Sequence, residues 1–289
     1  MSKRLEEAIS ELAGKSIRQW VRLTGRLTSK TDAPWLDCPM GHGSRIGSEF
    51  YAELAERQNL KIELSQTAGL LPDFDALKGR GFDPSQVCKE VRHFYEHTAC
   101  YRLEAWSEAA IPTRIFLWGL TKFVSREMDQ LNFPISSLEL ARGMSSEIIP
   151  MQNLDGKRVY TGWLRRLAID DRVIYTGLYS IETLPGLGYP CIKVSFPLPG
   201  GSSTVFLRPE ARPDGSLTLI SSGSKFGDTG FYRMVEVKEN VWRVKHLSTL
   251  RENFHVYLDK QGILRTDHIV KCLGFTPLKL HYRLERISE

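Results

Sequence analysis

From Arg158 to Arg286, apolar and polar residues alternate in about ten short stretches, each closed by turn residues. That spacing predicts the short antiparallel strands of an all-β sheet or barrel. In Pro190–Phe196, Ile192, Val194 and Phe196 oppose Cys191, Lys193 and Ser195. Near the C-terminus, Leu278, Leu280, Tyr282 and Leu284 oppose Lys279, His281, Arg283 and Glu285. One face is expected to meet a core and the other water. Turn signals at Asp155-Gly156, Asp170-Asp171, Pro185-Gly186, Pro199-Gly200-Gly201, Asp214-Gly215 and Gln261-Gly262 make successive strands neighbours, a meander. Alternation fails over Arg158 to Ile169, where Trp163, Leu164 and the pair Arg165-Arg166 leave the inward face undecided.

The first 150 residues follow a different period. Leu5, Ile9, Leu12, Ile17, Trp20, Val21 and Leu23 recur at helical spacing and predict a helix over 4–27. A break rich in Gly, Pro, Ser and Asp follows, and Ser48 caps a second expected helix through about Leu60. Asp83-Pro84-Ser85 opens a third, running to about Thr98. Pro112 starts an unusually apolar fourth segment that Asn132-Phe-Pro134 ends. Ala99 to Ser107 fits a helical continuation and a strand equally well.

The fold class expected is α+β. A mainly helical region, residues 1–150, packs on a large curved antiparallel β-sheet or barrel of residues 151–289, and the two are separate or one cooperative domain. In outline this resembles lipocalin-like barrels and helix-grip lipid-binding folds. The resemblance is one of architecture and carries no residue motif.

Composition changes little: 289 residues, 42% hydrophobic and 25% charged, are ordinary for a globular chain. No run of 18 apolar residues exists and no apolar core follows Met1-Ser-Lys-Arg, so a cytoplasmic protein without a transmembrane helix is expected. Five scattered cysteines (Cys38, Cys88, Cys100, Cys191, Cys272) without a C-x-x-C pair argue against a disulfide framework or a structural zinc cluster. Charge is uneven. Residues 157–289 carry 20 Lys+Arg against 13 Asp+Glu, whereas the first 156 carry 19 against 21. A basic β half suits an anionic partner, but its cations are spread over most strands, which disfavours nucleic acid.

Candidate chemistry is sparse. His93-Phe-Tyr-Glu96-His97 matches the H-x-x-E-H pattern of inverted zinc peptidases over five residues only, and an ordinary amphipathic helix has the same composition. Cys38-Pro-Met-Gly-His42 offers two ligands with no matching pair. No metal site and no cofactor is therefore expected. The loop Gly223–Asp228 has glycines whose backbone amides can cradle an anion, with Lys225 adding charge and Asp228 opposing it. Strand parity aims His246 inward with Trp242 and Val244, and His268 inward with Leu264, Val270 and Cys272, while His255 shares the opposite kind of face with Tyr257.

These residues, with Arg251-Glu252 and Asp267, form the candidate ligand-binding set: Lys225, Asp228, His246, Arg251, His255, Tyr257, Asp267 and His268. The leading expectation is a non-enzymatic protein whose cavity holds a small apolar or amphipathic molecule, such as a lipid. Peripheral membrane contact through the apolar segment near Trp118 is a further expectation. Two alternatives stand beside it. One is an enzyme using His246, His255 or His268 as acid–base, with Asp267 or Asp228 orienting it. The other is a nucleic-acid or protein interaction module on the basic β half. The sequence carries no signal for oligomeric state.

Overall fold

A computed structural model describes residues 3–41, 47, 49–109 and 143–287. His42, Ser48 and the helix expected after Pro112 lie outside the described residues. Among the described residues three α-helices, α1 (Lys3–Thr24), α2 (Phe50–Gln58) and α3 (Lys89–Glu96), accompany fourteen strands. In chain order these are β1 (Arg26–Ser29), β2 (Lys61–Ile62), β3 (Tyr101–Ala109), β4 (Met144–Gln152), β5 (Arg158–Leu167), β6 (Val173–Thr183) and β7 (Pro190–Leu198). Then follow β8 (Gly201–Ala211), β9 (Leu217–Ile220), β10 (Gly230–Lys238), β11 (Val241–His246), β12 (Leu250–Leu258), β13 (Leu264–Cys272) and β14 (Phe275–Arg286).

The described residues are mostly antiparallel sheet, with one long helix, α1, and two short ones. The main path runs β2-β4-β5-β6-β7-β8-β9-β12-β13-β14-β3. β8 is shared: its first half pairs with β10, which continues to β11 and β1, while its last residues pair with β9. The meander therefore holds from β4 to β9 and is interrupted by the β10–β11 branch. Among the described residues no ladder joins β3 to β4, so the sheet is open and not a closed barrel.

Curvature follows from the core. Inward side chains of β4 through β9, β12 to β14 and β3 belong to one buried cluster, with Leu70, Leu71, Phe74, Val91, Phe94 and Tyr95 in its middle. Strands lie roughly 4.8 Å apart, so β5 and β3 would stand about 40 Å apart in a flat sheet. Sharing one core requires the sheet to curl around the 68–95 segment.

The structure resolves one open reading and changes three expectations. Residues 101–109 form a strand because Leu103, Ala105 and Ser107 are buried beside β14, whose edge they complete. The third helix is reduced to α3, preceded by a 3-10 turn at Pro84–Gln86, because Val87 and Cys88 are extended. There the Cys88 amide donates to the carbonyl of Gly215, a glycine at φ +80° lying against the Cys88 side chain. β7 has no water face. Its polar side is covered by residues 33–40, and Lys193, 2% exposed, donates from Nζ to the carbonyls of Trp35 and Asp37. In α1, Val21 is fully buried but Trp20 and Leu23 of the expected apolar stripe remain exposed.

Candidate functional site

The curled sheet lines a partly open cavity of about 100 Å³. Most of its wall is apolar: Leu70, Phe94 of α3, Leu103 from β3, Val194 and Phe196 from β7, Val205 and Leu207 from β8, Leu219 from β9 and Leu284 from β14. The polar residues in the lining are Arg165, Glu252, Thr266 and His268, with the amphipathic side chains of Tyr95, Tyr175, Tyr179 and Tyr282 beside them.

Arg165 enters this interior because β5 is buried on both sides. Leu164 packs outward on Tyr51 and Leu54 of α2, while Trp163, Arg165 and Leu167 point inward. The guanidinium carbon lies 3.5 Å from the Trp163 ring centroid, 4.9 Å from that of Tyr175 and 5.6 Å from that of Tyr282. Such faces stabilise a desolvated cation. The indole is itself pinned, its Nε1–H donating to Ser146 Oγ at 2.7 Å. Arg165 Nε is buried and has no hydrogen-bond partner among the described residues.

The phenols around it are held protonated. Burial pushes Tyr179 up to about 12, with Arg165 opposing the rise. Tyr282 is raised for the same reason and likewise opposed by Arg165. The Tyr175 and Tyr179 hydroxyls meet at 3.0 Å. Across the cavity the His268 ring stacks on Phe254, centroids 3.8 Å apart and planes at 16°. Its Nε2 stands 3.3 Å from Glu252 Oε1, an ion-pair distance without hydrogen-bond alignment, and neither ring nitrogen has a hydrogen-bond partner among the described residues.

Of the eight residues in the candidate set, His268 lines this cavity, and so does Glu252, which the sequence places beside Arg251 in the same polar constellation. His246 does face inward, but into a second core on the β10–β11 side, where it stacks on Tyr232 at 4.6 Å. Burial lowers its pKa, partly offset by Asp228. His255, Tyr257 and Asp267 share the outer face of β12 and β13. His255 Nε2 is 2.9 Å from Ser216 Oγ and its ring stacks on Tyr257. Asp267 pairs with His281 Nδ1 at 2.6 Å. Arg251 is exposed, with Nε donating to the Ser248 carbonyl at 3.4 Å.

In the Gly223–Asp228 loop, the amides of Ser224 and Lys225 donate to Asp228 Oδ2, so the chain's own carboxylate fills the cradle. The Lys225 side chain is exposed. An acid–base role for His268 would draw on Glu252 and not on Asp267 or Asp228.

The H-x-x-E-H residues serve packing. The His93 and His97 rings lie 4.6 Å apart, but His93 Nδ1 contacts the Tyr101 hydroxyl, His97 Nδ1 contacts the Thr67 carbonyl, and Glu96 accepts from the Phe74 amide. Among the described residues no three His, Cys, Asp or Glu side chains are grouped to hold a metal ion.

The aromatic residues of the β half, Trp163, Tyr175, Tyr179 and Tyr282 among them, are legible in the sequence as core or pocket-lining groups, but Arg165 is not singled out there as a site residue. A signal existed: Arg165 is in phase with Trp163 and Leu167, whereas Arg166 is not.

No family model matches the chain. No solved structure matches it either. Among curated proteins it is similar to one from Bacillus subtilis (strain 168) named "Uncharacterized membrane protein YndJ", with 27% identity over 251 residues, covering 85% of this chain and 42% of the relative. The chain thus spans less than half the length of that relative. No helix among the described residues is long and apolar enough to cross a membrane.

Proposed function

We propose that the protein is a binding protein whose interior cavity holds a small, largely apolar or amphipathic molecule. One observation carries the reading: a concave, mainly aliphatic and aromatic cavity with a few polar groups in its lining, the usual make-up of a small-molecule site. The size favours a compact molecule or the end of a longer chain. Native mass spectrometry before and after organic extraction tests it, with thermal melting of both samples. The expected outcome is an extractable mass excess whose removal lowers Tm, because a ligand bound only by the native state stabilises it. An extract-free mass together with a Tm indifferent to apolar and amphipathic compounds would sink the proposal.

A second reading, peripheral membrane contact, is supported by the exposed side of α1 and the start of β1. Trp20, Leu23 and Leu27 are 44%, 74% and 54% exposed. Lys15, Arg22 and Arg26 stand exposed around them, and Lys245 Nζ lies 5.5 Å from the Trp20 ring centroid. Exposed aromatic and aliphatic groups ringed by cations suit an anionic lipid surface. The Bacillus relative's name as a membrane protein points the same way. Flotation should recover the protein with vesicles containing phosphatidylserine but not with phosphatidylcholine alone, and Leu23→Glu should abolish recovery. Equal behaviour with both vesicles, or an unaffected variant, would count against it.

A further inference from the structure

We propose that the cavity's ligand carries a carboxylate, and that Arg165 is the residue that recognises it. The inference deepens the cavity-binding reading and rests on it.

Arg165 is only 6% exposed, yet its Nε lacks a hydrogen-bond partner and no carboxylate stands within ion-pair distance of its guanidinium among the described residues. A buried charge is normally paired, because leaving water is costly and only a counter-charge or strong hydrogen bonds compensate. Arginine cannot escape by releasing its proton. The ring faces of Trp163, Tyr175 and Tyr282 offset part of that cost, but a π-face does not accept the in-plane N–H donors of the fork. The Tyr282 hydroxyl is close enough to interact with the guanidinium and offers a single oxygen. Donors therefore remain, and the residue lines the cavity.

The acceptor those donors match is a planar carboxylate, taken by two parallel N–H···O bonds. Glu252 also lines the cavity but is engaged with His268 at 3.3 Å. Its negative charge disfavours a dianion such as phosphate and leaves a monocarboxylate with an apolar body as the class that fits.

The rival is an arginine that serves packing alone, clamped between rings. Titration calorimetry on the full chain with hexanoate and with 1-hexanol, matched in length and differing in charge, separates the cases. Hexanoate should bind about ten- to a hundredfold more tightly than hexanol, the range of a charge-assisted hydrogen bond. Arg165→Met preserves the linear, apolar bulk. It should lose that preference while keeping hexanol affinity and an apo Tm no lower than the parent's. If wild-type protein binds both probes equally, carboxylate recognition is wrong while the cavity reading stands. If it binds neither, both fall. A preference that survives Arg165→Met overturns the role of Arg165. The wild-type comparison decides the ligand class even where the variant fails to fold.

Discussion

His246 sits where taking up a proton is unfavourable: burial lowers its pKa, its ring lies flat on Tyr232, and Gly230 leaves no room for a side chain against Nε2. His93 and His255 are lowered as well, again by burial first. The unfolded chain then binds protons more readily than the folded one. Stability is fully present above the ordinary histidine value of 6.5 and is lost as pH falls through the depressed folded values. Circular-dichroism melting should show Tm falling from pH 7.5 to pH 5. His246→Phe, which keeps the stack on Tyr232, should flatten part of that fall. An identical slope in the variant would show that His246 does not contribute. At this scale the sequence was informative about parity and silent about partners. His246 and His268 both point inward as their alternation implies, but into different cores. Nothing in the sequence near Asp228 shows that its carboxylate occupies the loop's own amides.

Between elements, the decisive contact is that of α2 on β5. Tyr51 lies flat over Gly162, where an added Cβ would come 2.4 Å from the ring, and its hydroxyl donates to the Gly177 carbonyl at 3.2 Å. Gly162→Val should therefore push α2 off the sheet and destabilise the protein by about 2 kcal/mol or more. Urea midpoints measure this, and Tyr51→Ala in the same chain should make the two losses sum to less than their separate values. Strict additivity would show that the contact is not what requires glycine. The same contact explains why Arg158–Leu167 resisted reading. A strand covered on both sides loses the polar face that makes alternation visible. β7 is the converse: its Cys191, Lys193 and Ser195 read as a water face, but residues 33–40 cover them and supply carbonyls for the lysine.

At the scale of the whole molecule, distant segments complete each other. β3 closes the edge of β14, β1 closes that of β11, and β2 that of β4, so chain from the first 110 residues borders three strands of the later sheet. The cavity has the same dual origin, with Leu70, Phe94 and Leu103 facing β5 to β9 and β12 to β14. Its proposed ligand and the proposed lipid contact of α1 lie on different surfaces, so the extraction and flotation experiments are independent. Half-buried antiparallel strands, their turns and the start of α1 were determined by the sequence alone, because two-fold and 3.6-fold periodicity is written into neighbouring residues. Tertiary structure decided which segment covers which face, that 101–109 is a strand, and that Arg165 and His268 share a cavity while His255 and Asp267 stand outside it. Periodicity divides a strand into two faces. Only the curl of the sheet and the chain folded against it determine which face is enclosed.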